Sequence, residues 1–159
     1  RKSLYARYSN KTELFLDVIR ELLAAVNGLE YDIGGSAQER LLHYVRSVLE
    51  VMSRPESQAL QRLVTMDPVY ISALRSEMLD ASQKLFIEPL VALLSQAKET
   101  QELVVGDEEA TAYVLIRLIL AETLPPDVDG RPPATVAERN EYATFLTNLI
   151  TQGLSPRGL

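Results

Sequence analysis

The chain has 159 residues, no cysteine, one histidine and a formal net charge of −6. This length is typical of one domain, and the absence of cysteine excludes disulfides and thiolate chemistry. No apolar run is long enough to cross a bilayer and no signal peptide is visible, so we predict one cytoplasmic domain without a membrane partner.

Basic residues are concentrated at the N-terminal end of the chain. Four of the sixteen basic residues, and none of the twenty-two acidic ones, lie within residues 1–11. A short cationic end on an acidic body predicts an anionic partner at that end alone.

A predicted helix start follows this cationic end. Asn10 is a good N-cap, and Glu13 follows three residues later, so the two form a predicted capping box. Apolar residues then recur every three or four positions from Leu14 to Val26. This pattern predicts an amphipathic helix over residues 11–27.

Two more helices are predicted in the next part of the chain. Ser36 and Glu39 form a second capping box, and the apolar residues that follow extend the helix to Met52. Pro55 is well suited to a first helical position and opens a shorter helix that ends near Thr65.

The longest predicted helix runs from Asp67-Pro68 to about Lys98. Pro89 lies inside this helix, has no backbone N–H, and crowds the preceding turn with its ring. We therefore expect a kink at Pro89, or the end of a first helical section near Glu88.

The C-terminal part predicts two further helices separated by a loop. The first is apolar nearly all round over residues 112–121. Residues 125–134 contain four prolines and a glycine and are predicted to form a loop. Thr135 and Glu138 form a third capping box for the last helix. No stretch alternates convincingly with period two, so the predicted fold is all-α.

The two C-terminal helices have more apolar surface than a helix at the end of a chain can easily bury. They either pair with a second copy in a four-helix bundle, through residues 108–121 and 136–152, or lie in an ordinary monomeric core. The pattern alone leaves both possibilities open. The candidate interface residues are Leu115, Ile119, Tyr142, Phe145, Leu146 and Leu149.

Residues with catalytic potential are few. His43 is the only histidine, and no metal-binding, Walker or glycine-rich phosphate motif is found. The acidic pairs stand at predicted helix starts, where the helix dipole accounts for them. We therefore predict a chain that is not an enzyme and has no cofactor or metal.

A pocket for a small molecule is a further hypothesis. Arg117 is a charge in an apolar helix, so it either anchors an acidic or carbonyl-bearing ligand or forms an ion pair with a carboxylate such as Glu122, Asp80 or Glu88. Other side chains either line the pocket or belong to the core. The candidate pocket residues are Met52, Met66, Tyr70, Met78, Phe86, Tyr113 and Arg117.

The N-terminal segment resembles a known family. The pattern Leu4-Tyr5-x-x-Tyr8-x-Asn10-Lys11-x-x-Leu14 is similar to the end of the DNA-binding domain of the tetracycline-repressor (TetR) family. There the pattern crosses from the recognition helix into the connecting helix. The resemblance implies that Ser3, Tyr5 and Lys11 contact DNA phosphates and that Arg7 makes a further backbone or base contact.

The resemblance also implies an organisation and a function. Residues 1–10 would be the remnant of a helix-turn-helix domain, 11–27 the connecting helix, and 28–159 the effector-binding and dimerisation domain. The expected protein is a homodimeric repressor that leaves its operator DNA when a small, largely apolar effector binds. Because most of the helix-turn-helix is missing before Arg1, we interpret the chain as a fragment. The alternative function is a helical homo-oligomerising interaction module that does not bind DNA.

Overall fold

The computed structural model describes residues 13–14, 16–18, 21, 34–66 and 76–155. In these residues every regular element is helical and no strand occurs, which confirms the predicted all-α fold. Six α-helices have both ends within the described residues. A π-helical turn (Gln83–Ile87, the π turn) follows the helical residues 76–82 and precedes the third of these six helices. These helices are α1 (Ala37–Met52), α2 (Pro55–Met66), α3 (Glu88–Glu99), α4 (Glu108–Ala121), α5 (Pro126–Asp129) and α6 (Val136–Gly153).

Side chains that accept hydrogen bonds from backbone N–H groups set the starts of three helices. The Ser36 hydroxyl accepts from the Glu39 N–H, and the Glu39 carboxylate accepts from the Ser36 N–H at 2.8 Å. Thr135 and Glu138 form the same reciprocal pair at the start of α6. Asp107 caps α4 by accepting from the Ala110 N–H at 2.8 Å. The two described capping boxes are thus confirmed, and Asn10, the predicted N-cap of the pair with Glu13, lies outside the described residues.

The loop predicted over residues 125–134 contains a short helix, so the prediction was wrong for this part. Helix α5 has Pro126 in its first turn, where the proline ring already holds φ near the helical value. It ends at Gly130, whose φ of 75° lies in the left-handed region that glycine adopts readily. Pro126 therefore starts a single helical turn, and Gly130 ends it.

Helix α1 lies at the centre of the core. It packs against α6 on one side and against α3 and α4 on the other. Its inward side chains are all but inaccessible to solvent, and they form one cluster with residues of the π turn, α3, α4 and α6. The Tyr44 hydroxyl donates to the Phe86 carbonyl at 2.7 Å, which satisfies a polar group inside this cluster. The buried side chains of α1 include Leu41, Tyr44, Val45, Val48, Leu49 and Met52.

The interruption predicted near Pro89 takes the form of the π turn. The chain stays helical from residue 76 to 99, but the Glu88 N–H bonds to the Gln83 carbonyl five residues back. Regular α-helix resumes at Glu88, which agrees with the boundary predicted from Pro89. The predicted start of this helix at Asp67-Pro68 lies outside the described residues.

A carboxylate joins the loop after α3 to the start of α1. Glu102 accepts from the Ala37 N–H at 2.6 Å and from the Thr100 hydroxyl at 2.8 Å, and it pairs with Arg40 at 3.2 Å. These contacts hold the pKa of Glu102 below its ordinary value, with the Ala37 N–H as the largest cause. Arg40 also donates to the Gly35 carbonyl.

Candidate functional site

Helix α4 has one covered side and one uncovered side. Its inward residues Ala112, Leu115, Ile116 and Ile119 belong to the core. On the other side, Val114 and Leu118 are exposed although both are apolar. The two lie four residues apart, which places them one above the other on the helix surface. The apolar residues of this helix therefore lie in two different environments, the core and the solvent.

Helix α6 is divided in the same way. Ala143 and Leu146 are buried against the core, whereas Phe145 is 62% exposed and Leu149 is 53% exposed. Phe145 and Leu149 again lie four residues apart and share one side of their helix. Exposed side chains of this size are a costly arrangement in water, because each leaves apolar area unburied.

A hydrogen bond joins the two helices beside these exposed residues. The Tyr142 hydroxyl donates to the Leu118 carbonyl at 2.8 Å. Burial raises the pKa of Tyr142, and the nearby Glu122 carboxylate acts in the same direction. We refer to Val114, Leu118, Phe145 and Leu149 as the outer apolar residues.

The structure divides the six predicted interface residues into two groups. Phe145 and Leu149 are exposed, and Tyr142 is half-buried between the helices. Three others lie in the core of the chain itself, with exposed fractions of 1% for Leu115, 0% for Ile119 and 2% for Leu146. Side chains buried this completely have almost no surface for a partner to contact.

Sequence reasoning missed Val114 and Leu118, although a signal for them existed. Arg117 is exposed and lies three residues after Val114 and one before Leu118. A charged residue in an apolar helix marks the side that reaches water, and Val114 and Leu118 flank that side.

The predicted pocket residues are distributed between the core and the surface. Met52 and Phe86 are both buried, and Met78 is half-buried before the π turn. Tyr113 is exposed, and its hydroxyl lies 2.8 Å from the Gln83 side-chain carbonyl oxygen, to which it donates. The side chain of Met66 and all of Tyr70 lie outside the described residues.

Arg117 reaches solvent, which is one of the two ways in which a charge can be accommodated in an apolar helix. Glu122, one of its three predicted partners, accepts instead from Arg131 at 3.3 Å.

One protein-family model matches most of the chain. The model for the C-terminal domain of AefR-like transcriptional repressors matches residues 39–146, from the first turn of α1 into the second half of α6. The chain belongs to the TetR family of transcriptional regulators. Comparisons with curated proteins and with solved structures gave no match.

The matched range of the TetR-family chain includes every residue of the core cluster except Ala37, and three of the four outer apolar residues. Family membership supports a role in transcription regulation. It also confirms the resemblance seen in the N-terminal motif, from residues that the motif does not include.

The residues predicted to contact DNA in this TetR-family chain lie outside the described part. They are Ser3, Tyr5, Arg7 and Lys11. Within the described residues, no three histidine or acidic side chains are grouped closely enough to hold a metal ion. None of the described helices combines the length and the apolar character that a membrane span requires.

An open groove with a volume of about 430 Å³ lies beside Phe145, one of the four outer apolar residues. Gln38 of α1 donates to the Asn148 side chain at 2.9 Å and links α1 to α6 near one edge of the groove. The groove is lined by Arg46, Asn140, Glu141, Thr144, Phe145 and Asn148.

Proposed function

We propose that this TetR-family chain is the effector-binding and dimerisation part of a ligand-responsive transcriptional repressor. The observation that carries the proposal is the uncovered apolar side of α4 and α6 in a domain of the regulator family. A cytoplasmic location follows from this role as a prediction, because a repressor acts where its operator is.

The dimer is proposed to form through α4 and α6. Two copies related by a two-fold axis would place Phe145 and Leu149 against apolar residues of the partner, in an intermolecular four-helix bundle. Polar side chains around the neighbouring groove suit the rim of such an interface. A dimer of this kind holds two DNA-reading ends at a fixed separation, as operator half-sites about 34–36 Å apart require.

The effector is proposed to be a small, largely apolar molecule. Its site would lie between the predicted connecting helix over residues 11–27 and the helices that carry Met52, Phe86 and Tyr113. Buried apolar side chains supply the environment that such a molecule prefers, and the Tyr113 hydroxyl supplies a polar group. Arg117 remains a candidate for the entrance of the site, because it reaches solvent.

Release from DNA would follow from linkage between the two sites. A connecting helix that contacts both the effector and the DNA-reading end changes the spacing of the two readers when it shifts. Only an effector that binds the two conformations with different affinity has this effect. A coupling free energy of about 1–3 kcal/mol would change operator affinity roughly 5- to 150-fold.

The DNA contacts are proposed for the N-terminal residues. In a protein with a complete helix-turn-helix, Lys11→Ala should weaken binding to all DNA sequences about equally. It should also reduce the slope of log K against log salt concentration by about one, because one phosphate contact is lost. Unchanged affinity and salt dependence would contradict the assigned register of the motif.

Calorimetric titration with hydrophobic amphiphiles tests the effector site on the chain itself. A ligand that binds there is expected to lower operator affinity when the same titration is repeated on a protein with a complete DNA-binding domain. If a ligand binds tightly but operator affinity does not change, the effector site is supported and the proposed release from DNA is wrong. The alternative, an interaction module without DNA function, predicts that the reading frame upstream of Arg1 encodes no helix-turn-helix.

A further inference from the structure

The π turn is the most irregular part of the described helices. It places three consecutive residues, Leu85, Phe86 and Ile87, in the core. A π turn contains one residue more than the corresponding α-helical turn, and such turns often occur at functional sites.

The extra residue decides which side of the preceding segment faces inward. Counting back from the buried Leu90 at α-helical spacing, an uninterrupted helix would turn Gln83 and Leu79 toward the core. In the structure the inward positions are shifted by one, so that Met78 is half-buried and Leu79 is 61% exposed. The π turn therefore leaves a large apolar side chain in water.

We propose that residues 76–82 have two registers, and that the π turn is the device that selects between them. The first is the π register of the structure, with Met78 inward. The second is an α register, in which the segment rotates by about 100° and moves by about 1.5 Å along its axis, so that Leu79 replaces Met78.

Proline chemistry favours the π register. In an α-helix the ring of Pro89 would clash with the carbonyl of Leu85, four residues earlier, and a wider turn relieves this clash. Glu88 nevertheless keeps α-helical angles, with φ −57° and ψ −46°, although a following proline disfavours them. Residual crowding therefore remains at the junction between the π turn and α3.

Two tyrosines of neighbouring helices donate hydrogen bonds to the π turn. Tyr113 donates to the Gln83 side chain at 2.8 Å, and Tyr44 donates to the Phe86 carbonyl at 2.7 Å. Rotation into the α register moves Gln83 inward and breaks its bond to Tyr113. The exposure of Leu79 acts in the opposite direction, because the α register would bury it. The hydrogen bond of Gln83 and the exposure of Leu79 thus act in opposite directions on the balance.

The two registers give the proposed effector a specific point of action. This step rests on the proposed function. Met78 and Phe86, both candidate pocket residues, lie on either side of the point at which the register changes. An effector that contacts the Met78 side chain would bind one register better than the other and would shift their populations.

Thiol accessibility tests the two registers without any ligand. The chain has no cysteine, so Leu79→Cys and Met78→Cys each introduce a single reporter. In the π register the thiol at position 79 should react much faster than the thiol at position 78. Pro89→Ala removes the ring that opposes the α register, and we expect it to slow the reaction at position 79 at least about tenfold and to speed the reaction at 78.

Tyr113→Phe gives a second test at an exposed position, where loss of the fold is not expected. It removes the hydrogen bond to Gln83 and should change both reactivities in the same directions as Pro89→Ala, by roughly two- to fivefold. This variant decides the question if Pro89→Ala fails to fold.

Pro126→Ala supplies the matched control, because it removes a proline ring from the first turn of a different helix, α5. It should change neither reactivity. Equal effects of Pro126→Ala and Pro89→Ala would overturn the proposal. So would unchanged reactivities in both Pro89→Ala and Tyr113→Phe. If the registers behave as expected and no amphiphile binds, the register change stands and the effector role fails.

Discussion

Helices α1 and α6 start alike and are covered differently. Each begins with a reciprocal capping box, and each has a row of buried apolar side chains. In α1, all of whose residues are described, no large apolar side chain is exposed, whereas α6 leaves Val136, Phe145 and Leu149 in solvent. The difference arises because α1 lies between α6 and the pair α3 and α4, while α6 packs mainly against α1.

The comparison shows that apolar content alone does not say where a helix is buried. A helix between two neighbours buries its apolar residues within the chain, and its contribution to stability is complete in a monomer. A helix at the edge buries one side, and the other side contributes only if a second surface covers it.

The largest expected effect is the loss of a central side chain. Leu41 is completely buried in α1, so Leu41→Ala should lower the free energy of unfolding by about 2–5 kcal/mol. Leu149→Ala is the same chemical change on α6, and in the monomer it should cost no more than about 0.5 kcal/mol. Denaturant unfolding of both variants measures the two values.

Protein concentration separates the two leucines further. The loss caused by Leu41→Ala should not depend on concentration, whereas the loss caused by Leu149→Ala should increase as dimer forms. Equal losses at every concentration would mean that α6 is as fully covered as α1, and the comparison would fail.

The next effect concerns association. Phe145→Glu places a charge among the outer apolar residues and should weaken dimerisation by about 2–4 kcal/mol, because covering this surface would remove the carboxylate from water. Analytical ultracentrifugation should show a dimer for the unmodified chain at tens of micromolar and a monomer for Phe145→Glu.

Val136→Glu is the matched control for Phe145→Glu. Val136 is 66% exposed, but it lies nine residues before Phe145 and so on the opposite side of α6. A glutamate at this first helical position is also favourable to the helix dipole. Val136→Glu should therefore sediment as the unmodified chain does. A monomeric unmodified chain would contradict the proposed dimer.

The smallest effect concerns the pH dependence of stability. The pKa of Glu102 is lowered by its bonds to the Ala37 N–H, the Thr100 hydroxyl and Arg40, so the charged form stabilises the start of α1. This stability is fully present above the ordinary pKa of 4.5 and is lost as the pH falls through the lower pKa of the folded protein.

Glu102→Gln should therefore lower the free energy of unfolding at neutral pH. As the pH falls below 4.5, this variant should lose less stability than the unmodified chain does. Thermal unfolding measured across this pH range, with the exposed Glu99→Gln as control, gives the comparison. If the stability of Glu102→Gln and Glu99→Gln depends on pH in the same way, the bonds from Glu102 to Ala37 and Arg40 do not stabilise the protein as expected.

Much of the fold could be predicted because its signals are local. Ser36 with Glu39 and Thr135 with Glu138 set helix starts through groups three residues apart, and the structure places α1 and α6 as these pairs predict. Pro89 likewise predicted the irregularity that appears as the π turn. The TetR resemblance rested on a short motif, and family membership was confirmed from other residues.

The candidate site was less predictable, because covering a helix depends on distant parts of the chain. Leu115 and Leu118 are both apolar residues of one helix, and only packing against α1 and α3 decides that Leu115 is buried and Leu118 exposed. The same holds for Leu146 and Phe145 on α6.

The sequence by itself determined where α1 and α6 begin, that the described part of the fold is all-α, and to which family the chain belongs. These properties depend on hydrogen bonds within a turn, on helical periodicity, and on short motifs. Only the tertiary structure decided which side of α4 and α6 is left uncovered, and that Met78 rather than Leu79 turns inward before the π turn. Both outcomes depend on which surfaces meet after the chain folds, and residues far apart in sequence supply those surfaces.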